Sequence, residues 1–101
     1  MNLYDYSIPE SGEAFVTLLS HDKIRIERIV SSDRLESKTY LQEEDEWVIL
    51  LEGEAVLEVS GEQRRLCRGD MVLIPAGTPH RVLQTQKGTV WLAVHISGTT
   101  S

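Results

Sequence analysis

Five side chains in this 101-residue chain have the types and spacing to do chemistry together. His80 closes the stretch GDMVLIPAGTPH, Glu46 opens the apolar run WVILL, Tyr40 and Gln42 come shortly before Glu46, and His95 ends TVWLAVHI. Imidazole is the commonest metal ligand and the commonest acid–base group near neutral pH, so His80 is the leading candidate. Glu46 ends the acidic run Glu43-Glu44-Asp45-Glu46, whose first three members read as a solvated loop. Glu46 differs because a strand would place it on one face with Val48 and Leu50. A carboxylate on a buried face must be paired, hydrogen-bonded or metal-bound, or its pKa must rise. Gln42 is a weak ligand for transition metals but a good hydrogen-bonding group for a substrate, and Tyr40 offers a phenol. His95 shares a strand face with Trp91 and Ala93. Facing inward, it would join His80 and Glu46 in a two-histidine, one-carboxylate set. The expected placement is outward, at the surface or an interface. His21 reads as a turn residue, and Cys67 as a structural thiol.

These groups depend on the elements that aim them. Gly69 and Gly77 can adopt positive φ without a Cβ penalty, and Pro75 ends the ladder of the MVLI strand. Pro79 biases Thr78 toward extended geometry. The predicted result is a rigid turn that delivers His80 at the start of the next strand. Elsewhere the pattern is short and strand-like. KIRIERIV alternates at Ile24 and Ile26 and then slips to Ile29, which predicts a strand with an irregularity. WVILLEGEAVLEV, broken at Glu52-Gly53, reads as a hairpin. Further turns are expected at Ser60-Gly61, Arg68-Gly69-Asp70 and Lys87-Gly88. One helical turn is allowed between Ile8 and Leu19. Turns recur about every ten residues, as an all-β sandwich or barrel requires. One domain over residues 1–101 is expected, with a lead-in over about 1–22 and a frayed tail over 97–101.

Composition narrows the classes. The net charge is −6 and Arg64-Arg65 is the only adjacent basic pair, which argues against a nucleic-acid partner. No apolar run is long enough for a membrane span, and MNLYDYSIPE is not a signal peptide. Cys67 is the only cysteine, so no internal disulfide forms, which fits a cytoplasmic location.

From Gly69 the chain reads G-x5-P-x-G-x2-H, placing Gly69, Pro75, Gly77 and His80 in register with the second motif of the cupin superfamily. Upstream, Glu46 and Gly53 match the E-x6-G of the first motif. The resemblance spans roughly Tyr40 to Ile96 and implies a double-stranded β-helix, a jelly-roll barrel with His80 pointing inside. Two departures stand out. The family's usual Asn is Gln84, and its first-motif His-x-His is replaced, with Tyr40 and Gln42 (or Thr39 and Leu41) at those places. The chain therefore looks like a subset of small single-domain cupins lacking two of the usual four metal ligands.

The resemblance implies a pocket around His80 and Glu46 that binds a divalent metal (Zn, Fe, Mn or Ni) and/or a small organic ligand. The corresponding chemistry is that of a metal-dependent oxidoreductase, isomerase or lyase. The alternatives are a metal-free pocket that senses or stores a small molecule, and a structural dimer module with a vestigial site. Trp47, Ile49 and Leu51 form a stripe on the face opposite Val48 and Leu50, which predicts an interface and hence a homodimer.

Overall fold

The computed structural model describes residues 1–36 and 38–98, and the C-terminal part of the expected frayed tail lies outside the described residues. It contains eight strands and, among the described residues, no helix. They are β1 (Glu13–His21), β2 (Ile24–Ser31), β3 (Asp45–Glu52), β4 (Ala55–Val59), β5 (Glu62–Leu66), β6 (Met71–Ile74), β7 (His80–Thr85) and β8 (Thr89–Ile96). Two antiparallel sheets face one another: a five-stranded sheet in the order β1-β2-β8-β3-β6 and a three-stranded sheet in the order β5-β4-β7. This is the all-β jelly roll that the motifs predict.

Alternation decides what each sheet buries. On β3, Glu46, Val48 and Leu50 point between the sheets, while Trp47, Ile49 and Leu51 point away. Val48 and Leu50 join Leu57, Val59, Leu66, Val72, Ile74 and Trp91 in the core. Burying a side chain such as Leu50 contributes roughly 1.5–3 kcal/mol.

Several local expectations are corrected. The lead-in is not helical: its second half is β1, which pairs with β2 along its whole length. The bulge lies on β1 at Leu18 rather than on β2. The slip from Ile26 to Ile29 is a change of face within a regular strand. Ile24 and Ile26 point outward and Ile29 inward, because both faces of this sheet carry apolar residues. Glu52-Gly53 is not a hairpin turn, since β3 and β4 belong to different sheets. The true hairpin of this region is β4–β5, turning at Ser60-Gly61, where both residues have positive φ. Cys67 is exposed rather than packed.

The outer face of the five-stranded sheet is half covered. Arg28 donates to the carbonyls of Leu3 and Asp5 (both 3.1 Å), and its guanidinium lies 5.5 Å from the Tyr6 ring centre. This holds the first residues across one end of the face. The other end is open: Leu73 is 59% exposed and Met71 58% on the edge strand β6, Trp47 is exposed on the adjoining β3, and Leu19 and Ile24 are exposed on β1 and β2 across the sheet.

Gly53 makes the crossover between sheets at φ +86°, and a Cβ there would sit 2.7 Å from Thr89 Oγ1 and 3.1 Å from Thr89 Cα. Gly77 has φ +76° with open space around it. Gly53→Ala should therefore lower the melting temperature by roughly 10 °C or more, from clash plus strain, whereas Gly77→Ala should lower it by about 5 °C, from strain alone. Paired thermal melts followed by circular dichroism check this, and equal losses would refute the crossover argument.

Candidate functional site

His80 is the first residue of β7 and enters from the three-stranded sheet, while Glu46 enters from β3 of the other sheet. The segment before β3 locks the two together. Tyr40 N–H donates to His80 C=O (2.7 Å), His80 N–H donates to Tyr40 C=O (3.0 Å), and Gly77 N–H donates to Gln42 C=O (2.8 Å). Asp45, far from being solvated, accepts a hydrogen bond from Ala76 N–H at 2.8 Å. The PAGTPH turn is thus clamped along residues 40–45, which sets the angle at which His80 enters the barrel. Gly69 opens β6 next to β3, its N–H donating to Leu50 C=O, and Pro75 follows directly after the last residue of β6. A bulge in β7 at Leu83 turns Gln84 outward and Thr85 inward.

Between the sheets lies a cavity of about 70 Å3, room for a handful of waters or one compact organic group. Its walls are largely apolar, with Val48, Leu57, Ile74, Val82 and Trp91. Tyr40, Gln42, Glu46, His80 and His95 also line it, so all five sequence-predicted residues are brought to one cavity.

The ring of His80 is held by its own turn. Nδ1 lies 3.1 Å from the Thr78 carbonyl, which can only accept, so Nδ1 carries a proton. Nε2 faces Glu46 Oε1 at 3.5 Å. That is an ion-pair distance and not a formed hydrogen bond, so Glu46 Oε1 has no hydrogen-bond partner although the residue is only 6% exposed. Burial alone pulls the His80 pKa down, but the Glu46 carboxylate and the Thr78 carbonyl together outweigh it and raise the value. The Tyr40 ring stacks on His80 with centres 5.9 Å apart. Burial, with the charges of Glu13 and Glu46, raises its hydroxyl pKa, so Tyr40 stays a neutral donor. Gln42 Oε1 is a second buried acceptor without a partner.

His95 corrects the outward expectation. It is 2% exposed and points inward, because β8 is paired on both sides and its register sets His95 beside Glu46. The outward positions belong to Leu92, Val94 and Ile96. His95 does not join His80, however. Its Nε2 meets Glu27 Oε1 at 2.8 Å, and its Nδ1 lies 3.6 Å from Glu44. Glu44, expected in solvent, is half-buried and also pairs with Arg25 at 3.3 Å.

Sequence reasoning missed Glu27 and Glu13, both of which line the cavity. Glu13 accepts a hydrogen bond from the Ser31 hydroxyl, which in turn accepts from Trp91 Nε1–H at 3.0 Å. Burial raises the Glu13 carboxyl pKa, and the Ser31 hydrogen bond offsets this only in part. The signal was present: Glu13 opens the apolar run AFVTLL as Glu46 opens WVILL.

The Cupin domain family model matches residues 32–95. This chain is a cupin. A candidate mannose-6-phosphate isomerase from Ralstonia eutropha JMP134 has the same fold at a TM-score of 0.86, with 34% identity over 97% of each chain. KdgF from Halomonas sp. aligns at a TM-score of 0.80 with 18% identity, over 92% of this chain and 87% of its own. A conserved protein of unknown function from Streptococcus pyogenes gives 0.84 and 21%, over 99% and 88%. The last two show the fold alone. Curated proteins gave no match.

A resident metal, which cupin membership suggests, can be tested on these donors. Two atoms each bound at about 2.1 Å can stand roughly 3–3.5 Å apart, so His80 Nε2 and Glu46 Oε1 fit as a pair. A catalytic centre needs a third protein ligand. His95 and Glu27 are committed to each other, and among the described residues no three His, Cys, Asp or Glu side chains converge. In this cupin the donor set does not fit a three-ligand metal centre.

The raised pKa values set a pH signature. A His80 pKa higher in the folded than in the unfolded state contributes stability that is fully present below about 6.5 and is lost as pH rises through the folded value. The advantage of wild type over His80→Gln should therefore shrink between pH 6 and pH 9. Glu13 has the opposite consequence: its raised pKa means the carboxylate destabilises the fold at neutral pH, so Glu13→Gln should be more stable than wild type at pH 7, and the gain should vanish in acid. Urea unfolding at several pH values checks both, and a His80 advantage that grows with pH would overturn the ion-pair assignment.

Proposed function

We propose that this cupin binds a small, hydrogen-bond-donating organic molecule inside the barrel, without a resident metal, and that Glu46, His80, Gln42 and Tyr40 are its polar contacts. The observation that supports this most directly is a pair of buried acceptors, Glu46 Oε1 and Gln42 Oε1, left without hydrogen bonds in a cavity whose walls are mostly apolar. A buried acceptor without a hydrogen bond carries a desolvation penalty of about 1–3 kcal/mol, which a donor group on a ligand removes; at Glu46 the nearby His80 ring offsets part of it. The Ralstonia relative is named for a sugar-phosphate substrate, but the lining of this cavity argues against one here. It carries Glu13, Glu27 and Glu46 and no Lys or Arg among the described residues. Like charges 4 Å apart near a protein surface repel by roughly 4 kcal/mol. Isomerase or lyase chemistry is a second reading, favoured by the His80–Glu46 geometry: an imidazolium beside a carboxylate can exchange a proton with a bound substrate.

Small amides, amines and polyols, with mannose 6-phosphate as the anionic control, should separate these cases when titrated by NMR. Donor compounds should shift the Trp91 indole and His80 signals saturably, and mannose 6-phosphate should not. Glu46→Gln should weaken binding by roughly 10- to 100-fold, the loss of a charge-assisted hydrogen bond. Protein exposed to Zn, Mn, Ni or Fe and then desalted should retain well under one equivalent. A stoichiometric metal that disappears in His80→Ala would overturn the metal-free reading.

The open half of the outer face is part of the same proposal. Trp47, Leu73 and Met71 with Leu19 and Ile24 form an apolar surface that suits a second copy of the chain. Light scattering at micromolar concentration should give a dimer mass, and Leu73→Glu should give a folded monomer. A wild-type monomer would refute the dimer.

A further inference from the structure

We infer that the ligand is a small organic cation, and that Glu13 is its counter-ion against the aromatic walls Phe15, Tyr40 and Trp91. This rests on the reading of the barrel as a ligand pocket and specifies the class of ligand. The cavity is lined by three carboxylates and two imidazoles. Each imidazole already has a carboxylate, His80 with Glu46 and His95 with Glu27. Glu13 is left over. Its only hydrogen bond among the described residues is from the neutral Ser31 hydroxyl, and it forms no ion pair there. The basic groups at the mouth, Arg34 and Lys38, are exposed, and neither pairs with Glu13.

The second observation is independent of Glu13. Glu46, 6% exposed, aims an oxygen with no hydrogen bond into the same cavity, as does Gln42. The polar atoms left open in this lining are two acceptors, Glu46 Oε1 and Gln42 Oε1, and His95 Nδ1, which lies 3.6 Å from Glu44. An anion would add to the uncompensated charge, and a neutral molecule would leave it in place. A bare inorganic cation such as Ca2+ wants six to eight oxygens, which these apolar walls do not supply. An ammonium carrying alkyl groups satisfies both halves of the lining: charge toward Glu13, carbon toward the aromatic and aliphatic side chains. The Tyr40 ring is already met by Lys38 Nζ, 5.4 Å from its centre, and by the stacked His80 ring, so Tyr40 contributes apolar wall rather than a free cation-binding face.

Three isosteric probes test this in the full-length protein: choline, its neutral analogue 3,3-dimethylbutan-1-ol, and the anion 3,3-dimethylbutyrate, each titrated at pH 7.5 and followed at the Trp91 indole N–H. Choline should bind at least tenfold more tightly than the neutral probe, and the anion should not bind. Glu13→Gln should remove most of that preference while leaving the affinity of the neutral probe within about twofold. Glu13→Asp, which keeps the charge, should retain part of the preference and guards against a folding artefact. Equal binding of choline and the alcohol, or a preference untouched by Glu13→Gln, overturns the cation assignment and leaves the ligand pocket standing. If no probe binds while uncharged amides or polyols do, the cation assignment alone fails. If nothing binds from either set, both fail.

Discussion

A carboxylate with no hydrogen bond on one oxygen, held 3.5 Å from an imidazole that comes from the opposite sheet, is the constraint on which the rest of this barrel turns. Neither group can be moved independently. Glu46 is fixed by the alternation of β3, where slipping one residue would send Val48 and Leu50 out of the core with it. His80 is fixed by the clamp between the PAGTPH turn and residues 40–45, made of backbone hydrogen bonds and one carboxylate. Each sheet thus brings half of an imidazole–carboxylate pair to a position defined by the apolar residues around it. Packing supplies the precision, and electrostatics supplies the chemistry.

Much of this was legible because it rests on local signals. The all-β class, the turn after MVLI and the inward face of Glu46 follow from alternation and from Gly and Pro placement. Two of the failures share a cause. The five-stranded sheet carries apolar residues on both faces, so alternation along β2 and β8 does not say which face is inside. That ambiguity covers both the outward expectation for His95 and the irregularity expected in KIRIERIV. Only the registers of β2 and β3 against β8 resolve the ambiguity, and they are non-local. Gly53 misled differently: a glycine at positive φ serves a hairpin or a crossover equally well, and β4 pairs with β5 and β7 rather than β3.

Shared architecture does not carry a shared site. The Ralstonia cupin has 34% identity and nearly complete overlap with this chain, yet the charge inventory inside this barrel is unfavourable for the phosphorylated sugar in that protein's name. The positions where the family's first motif usually has histidines are held here by Tyr40 and Gln42, a neutral donor and an amide acceptor. His95 does not restore the missing ligand, because Glu27 has claimed its ring. A site built this way offers hydrogen-bond acceptors and carboxylate groups, without three convergent His, Cys, Asp or Glu side chains among the described residues.

The energetics of Glu13 bear on the same point. A carboxylate whose pKa is pushed up by burial is a local cost to the fold, and a glutamine would keep the Ser31 contact without the charge. Gln63 and Gln86 show that the chain uses that residue freely elsewhere. On β1, Phe15 follows Glu13 on the same wall of the cavity, and the cross-strand neighbour of Glu13 is the neutral Ser31. Nothing in the packing of β1 calls for a charge there. Positions at which a local rule is broken without a structural return are the positions where function is expected to reside. In this barrel Glu13, Gln42 and Glu46 are such positions, and all three line the same cavity.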